Sequence, residues 1–273
     1  MSAHEAADLS MPDAPVFEVA VDAIRSEFAK LASLRSSYWL FGGIAVVVVG
    51  AALLLCELYV HRYSHLNLTQ LSFNPIAYSL SGTLLAQLAV VVIGALAITS
   101  EHATGMIRAS FAAVPQRRLV LTAKAVAVAT VTLVVSEAAS FIAFLLGQAI
   151  LSSRSMQVGL SSPGALRSVV GAGLYLTLLA LLALAIGTIV RHSAGAIAVL
   201  FGLLLVLPGA TEPLPHSWQN AINPYLPSYA GQAIFTSGED LHLLAAWPGF
   251  GLFCLYAAVA FAVALVSIER RDA

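Results

Sequence analysis

Six apolar blocks, each close to the length that crosses a lipid bilayer, leave this chain little choice of fold. A hydrocarbon core about 30 Å thick takes about 20 residues of helix at a rise of about 1.5 Å each. The blocks run from Tyr38 to Cys56, Ile76 to Thr99, Ala125 to Leu151, Ser168 to Val190, Ala194 to Leu207 and Leu243 to Ile268. The fifth is short, and Pro208, followed by Pro213 and Pro215, is expected to fix its end. No block alternates polar and apolar residues as a barrel strand does, and backbone groups facing lipid must be bonded within their own segment. The blocks therefore read as helices. Composition agrees: 59% of the 273 residues are hydrophobic and 10% charged, less than half the roughly 25% charge of a soluble domain. The expected fold is all-α integral membrane with six transmembrane helices. A net charge of −1 lacks the basic surface that nucleic acid requires. Cys56 and Cys254 lie in or beside apolar blocks, without the paired spacing of a disulfide framework or a zinc site.

Basic residues set the expected orientation. With the N-terminus inside, Arg25, Lys30, Arg35, Arg108, Arg117, Arg118, Lys124, Arg191, Arg270 and Arg271 are cytoplasmic, and only Arg62, Arg154 and Arg167 lie outside. That bias predicts both termini in the cytoplasm and an even number of crossings. Glu212, Glu239 and Asp240 then fall outside. The first fifteen residues are polar and acidic, with no basic segment leading into a short apolar core, so insertion is expected through the first span. Three units follow: a disordered tail over 1–15, an amphipathic helix over 16–37 and a six-helix unit over 38–273.

In the second unit Phe17, Val21, Ile24, Phe28, Leu31 and Leu34 recur at helical spacing, with Glu18, Asp22, Arg25 and Lys30 off the stripe. Such a helix ahead of a span is expected to lie along the inner membrane surface, either as a working part or as a plain anchor. Between spans two and three runs Glu101-His102-Ala103-Thr104-Gly105-Met106-Ile107-Arg108-Ala109-Ser110-Phe111, then Pro115 and Arg117-Arg118. Glu101 is placed by its sequence position in the first turn of a new helix, where an acid suits the dipole. Met106, Ile107 and Phe111 are apolar residues among charges, expected to be exposed and hence covered by something. The alternative is a re-entrant turn packed beneath the chain's own helices.

These pieces resemble the ABC-2 type of transporter permease, the membrane subunit of bacterial ABC exporters. Arg25-Ser26-Glu27-Phe28-Ala29-Lys30-Leu31 is similar to that family's helix before the first span. Glu101-x-x-x-Gly105-Met106-Ile107-Arg108 with Pro115 and Lys124 is similar to its coupling helix, which docks into a cytoplasmic ATPase. The segment from Asn223 to Gln232 between spans five and six, and the terminal Arg270-Arg271-Asp272-Ala273, also look like the family. The resemblance covers nearly the whole chain apart from the acidic tail. It implies a separate ABC ATPase subunit as partner, a homodimer or heterodimer of permeases in a bacterial plasma membrane, and coupling through Glu101, Gly105, Met106, Ile107, Arg108 and Phe111. It also implies spans one and five at the dimer interface, where Gly42, Gly43, Gly50, Gly195 and Gly202 would let backbones approach; packing within one subunit is the alternative. The outer segment, with Pro208, Pro213, Pro215, Pro224 and Pro227 among Trp218, Tyr225, Leu226, Tyr229 and Phe235, is either short helices dipping into the outer leaflet or a plain ordered loop.

Nucleotide chemistry is not expected here. A P-loop needs Gly-x-x-x-x-Gly-Lys-Ser/Thr, and the only lysines, Lys30 and Lys124, precede Leu31 and Ala125. ATP and Mg2+ are assigned to the partner, and no cofactor or metal to this chain. A membrane enzyme finds little support: His61 and His65 lack an intervening glutamate at the zincin position, His102 and His192 are isolated, and Ser81-Gly82 has no histidine at matching depth. Glu137, mid-way along the third span, is the one costly charge. It is either the relay of a proton-coupled secondary transporter or a protonated acid bonded to polar neighbours, Gln87 among them. The apolar pathway suits a hydrophobic or amphipathic cargo such as a drug, lipid or peptide-like molecule.

Overall fold

The computed structural model describes residues 16–33, 35–63, 73–113, 116–236 and 243–271. Among them every regular element is helical, and six stretches are long and apolar enough to cross a membrane. The tail, Leu34, His65, Pro115, Glu239, Asp240, Asp272 and Ala273 lie outside the described residues.

Helix α1 (Val16–Ser33) is followed by α2 (Arg35–Tyr63), within which Tyr38–His61 is the stretch long and apolar enough to cross a membrane. A short α3 (Pro75–Ser79) is capped by Asn74, whose Oδ1 accepts from the amides of Ile76 and Ala77. It leads into α4 (Gly82–Thr104), and the two together form the second span. Helix α5 (Met106–Ala113) is set off by Gly105, whose φ of +73° suits a residue without Cβ. The third span, α6 (Arg117–Leu151), starts eight residues before Ala125 because the helical bonding runs on through Arg117, Arg118 and Lys124. Then come α7 (Ala165–Val190) and α8 (Ser193–Phe201), with His192 Nδ1 accepting from the Gly195 amide to cap α8.

Pro208 does not end the fifth span. A π-helical turn at Gly202–Val206 carries the backbone past it into α9 (Leu207–Thr211). The Leu207 amide reaches back five residues to the Gly202 carbonyl, and widening the helix there relieves the clash a proline imposes on the preceding turn. The segment between the fifth and sixth spans is also helical rather than a plain loop: α10 (His216–Ile222), a 3-10 turn at Asn223–Tyr225 and α11 (Pro227–Gln232) precede α12 (Ala246–Arg271). Leu226, Ala230, Ile234 and Phe235 are buried, and Tyr256 of α12 donates to the Tyr225 carbonyl at 2.7 Å.

Helix α7 is the centre. Its apolar window is 72% buried, against 28% for α2 and 22% for each of the fifth and sixth spans. Close approach explains it. A Cβ on Gly94 of α4 would overlap the Ala180 carbonyl and come within 2.7 Å of Ala183 Cβ on α7. One on Gly231 would come within 2.6 Å of the Tyr175 ring. The glycines expected at helix contacts behave differently. Among the described residues, Gly42, Gly43, Gly50 and Gly202 have nothing within 4 Å of an added Cβ, and Gly195 meets its own turn at Val190 and His192. Gly94→Ala is expected to destabilise by about 1–3 kcal/mol through overpacking. Gly50→Ala is expected to leave stability unchanged, or raise it by up to about 1 kcal/mol through helix propensity. Thermal unfolding of the two variants in detergent compares them, and equal losses would contradict the packing described.

Candidate functional site

The most polar feature of the bundle is assembled from parts that look unremarkable in sequence. Glu27 and Lys30 sit three residues apart on α1, Glu101 lies in the last turn of α4, and Lys124 lies two turns into α6. They meet in a closed ring of alternating charge. Glu27 Oε1 accepts from Lys30 Nζ at 2.5 Å and its Oε2 from Lys124 Nζ at 2.5 Å. Glu101 Oε1 accepts from Lys124 at 2.7 Å and from Lys30 at 3.3 Å. The Lys124 and Glu27 side chains are only 4% and 6% exposed. An isolated charge at such burial costs several kcal/mol, so two carboxylates with two ammoniums is the composition that burial tolerates.

Lys30, at the rim, donates its remaining bond to Ser110 Oγ of α5 at 3.2 Å. Burial alone would depress its ammonium, but the hydrogen bond to Glu27 and the charges of Glu101 and Glu27 outweigh that and hold its pKa above the ordinary lysine value. The ring therefore fastens α1, α4 and α6 together and carries α5 on its edge. Nearby, Arg118 at the start of α6 is paired with Glu269 near the end of α12, and Ser193 at the start of α8 donates to Thr99 of α4. The start of α2 and the end of α12 thus lie at one end of the bundle.

Three expectations are corrected here. Glu101 is not at a helix N-terminus, because α4 continues a turn beyond the apolar run to Thr104; its unfavourable place near the helix C-terminus is offset by the two lysines. Ile107 is not exposed. At 7% it packs into a small apolar cluster with Ile98, Leu121, Leu184 and Ile268. Phe111 is half-buried, with the Arg117 guanidinium 5.5 Å over its ring. Only Met106, 52% exposed, stands out as expected. Arg108 lies on α5, but its side chain falls outside the described residues.

Within the bundle, Gln87 is buried, and its Oε1 accepts from Tyr175 of α7 at 2.6 Å instead of meeting Glu137. Glu137 packs on Gly173 of α7, where a Cβ would come within 2.6 Å of Oε1. Its Oε2 is buried with no hydrogen-bond partner among the described residues. At the far end Gln148, which the sequence reading overlooked, donates to the Pro75 carbonyl and Ser79 Oγ and accepts from the Val158 amide.

Neither a protein-family model nor a curated protein matches this chain. The geometry is left to speak for function, and it centres on the ring. Lys124→Met would leave two buried carboxylates sharing one lysine, and a loss of about 3–5 kcal/mol is expected. Lys30→Met, at the half-open rim, is expected to lose less. Because its folded pKa is raised, the Lys30 contribution is fully present below the unfolded value of about 10.4 and disappears as pH rises through the folded value. The difference in melting temperature between wild type and Lys30→Met should therefore stay constant between about pH 7 and 9 and shrink only above about pH 10.4.

Proposed function

We propose that this chain is the membrane-spanning subunit of an ATP-driven exporter of the ABC-2 type, working as a dimer of permeases with two separate ATPase subunits in a bacterial plasma membrane. The observation that carries the reading is α5: a two-turn helix between the second and third spans, anchored inward by Ile107 and by Ser110 on Lys30, and presenting Met106 outward. The excess of basic residues at that end of the bundle supports placing it, with both termini, in the cytoplasm. Both lysines of the chain are spent on the ring, and neither follows a glycine-rich loop, so hydrolysis falls to the partner.

The mechanism follows from the connections. A partner closing on nucleotide would press on α5 at Met106. The Gly105 break lets α5 tilt without bending α4, and the tilt drags Ser110 against Lys30 and Ile107 against its cluster. Since Lys30 belongs to the ring, the displacement reaches α1, α4 and α6 together. The spans so moved would open and close a route for an apolar or amphipathic cargo. The docking contact narrows from the apolar residues of α5 to Met106, with Glu101 held inward as part of the transmission. Met106→Glu is expected to leave membrane insertion and the melting temperature unchanged while export falls at least about tenfold and the partner's ATPase loses stimulation by cargo. Unchanged export would remove α5 from the mechanism.

Glu137 supports a second reading, a proton-coupled carrier, since one of its oxygens is buried mid-span with no hydrogen-bond partner among the described residues. Purified chain in liposomes under a proton gradient without ATP separates the two. On the exporter reading it moves no cargo, and Glu137→Gln leaves ATP-driven export in the assembled complex intact. Uptake driven by the gradient and abolished by Glu137→Gln would decide for the carrier.

A further inference from the structure

Beside the ring lies a cavity of about 460 Å³, within the range of small-molecule sites. Leu31 of α1, Leu40 and Phe41 of α2, Ile93 and Ala97 of α4 and Val128 of α6 form its apolar walls. Glu27, Lys30, Glu101 and Lys124 line one side, and the exposed Ser33, Ser100, Thr104 and Met106 mark the mouth. What such a chamber selects depends on how much of its polar lining is left for a guest.

Little is left. At the mouth, Ser33 Oγ donates to the Lys30 carbonyl at 3.0 Å, Ser100 Oγ to the Leu96 carbonyl at 2.6 Å and Thr104 Oγ1 to the Ser100 carbonyl at 2.9 Å. Each hydroxyl proton thus stays on its own helix. In the ring both oxygens of Glu27 are taken by lysines, and the three donors of Lys30 go to Glu27, Glu101 and Ser110. Glu101 Oε2 accepts from nothing among the described residues, but it is closed off from any accessible surface and does not face the cavity. Lys124 keeps one N–H beyond its bonds to Glu27 and Glu101.

Charge balances as well. Two carboxylates meet two ammoniums, and the ends of α1 and α4 at Ser33 and Thr104 are matched by the starts of α2 and α5 at Arg35 and Met106. An ion of either sign entering here would surrender hydration and find no uncommitted counter-charge among the described lining residues. An uncharged hydrocarbon body surrenders no such hydration and gains the dispersion contacts that an empty chamber forfeits.

We infer that this cavity binds an uncharged lipophilic small molecule, its hydrocarbon body lying between α1, α2, α4 and α6. The inference does not rest on ATP coupling, because occupancy is measured without transport.

The test uses the full chain in phosphatidylcholine nanodiscs, titrated with decanol, decylamine and decanoate at about pH 8, where the amine and the acid are charged. Partition into empty discs is subtracted, and affinities are referred to the concentration within the bilayer. Saturable decanol binding at least about tenfold tighter than either charged probe is expected. Ala97→Phe, which fills the chamber, and Ser100→Phe, which narrows its mouth, replace no member of the ring and should each abolish it. The second variant carries the test if the first does not fold. Decylamine or decanoate binding as tightly as decanol, or decanol binding retained by a folded Phe variant, would overturn the proposal. So would the absence of saturable binding in the discs; decanol binding by the chain in a short-chain detergent would then assign the chamber to an acyl chain of the bilayer.

Discussion

Everything at the charged end of this bundle hangs on a ring of two glutamates and two lysines. A chain with only 10% charged residues places four of them within hydrogen-bonding distance of one another, on three helices, nearly shut off from solvent. Such a ring is a poor source of stability by itself, since desolvation cancels much of the Coulomb gain, and well-packed apolar residues often do as well. What it does supply is intolerance of error. Remove or displace one member and a neighbour is left charged, buried and alone.

That intolerance matters because the rest of the interface has little of it. Ala, Val and Leu dominate the core shared by α2, α4, α6 and α7, and within lipid no hydrophobic force drives helices together. Where glycine admits a neighbouring backbone, as at Gly94 against Ala180, the surfaces are locally keyed. Elsewhere one apolar side chain can replace another with small loss. At the far end the Gln148 side chain performs the equivalent service, holding α3 and the segment after α6 through three neutral hydrogen bonds.

The architecture was legible in sequence because its signal is long and one-dimensional: about 20 apolar residues in a row have few fates. The ring was not, because its pairs are separated by as many as 97 positions. Glu27 reads as one more charge on an amphipathic helix, and its only local hint is the three-residue spacing to Lys30. Glu101 was misplaced by a turn because hydropathy stops at Thr99 whereas backbone hydrogen bonding stops at Thr104. Ile107 seemed exposed because a short helix beside charges gives no sign of the apolar cluster beneath it. Pro208 seemed a terminator because nothing in the sequence announces the π-helical turn that absorbs it. Gln87 and Glu137 were paired by depth alone, but the true partner, Tyr175, was hidden in an apolar block. Spacing along the chain resolves contacts within an element. It carries no information on which faces of separate elements meet.

Register is where these threads join. Sliding α1 or α6 by one helical turn, about 5.4 Å, would keep apolar surface against apolar surface and change the packing energy modestly. The same slip would carry Glu27 or Lys124 beyond hydrogen-bonding reach of every ring partner, and each stranded charge would cost several kcal/mol. A rigid tilt that moves α1, α4 and α6 together breaks none of these bonds. The ring therefore opposes relative sliding far more than collective rotation. Among the described residues α5 is tied to the ring by the Lys30–Ser110 bond at the rim, so α5 can shift with less disturbance of the ring than α1, α4 or α6.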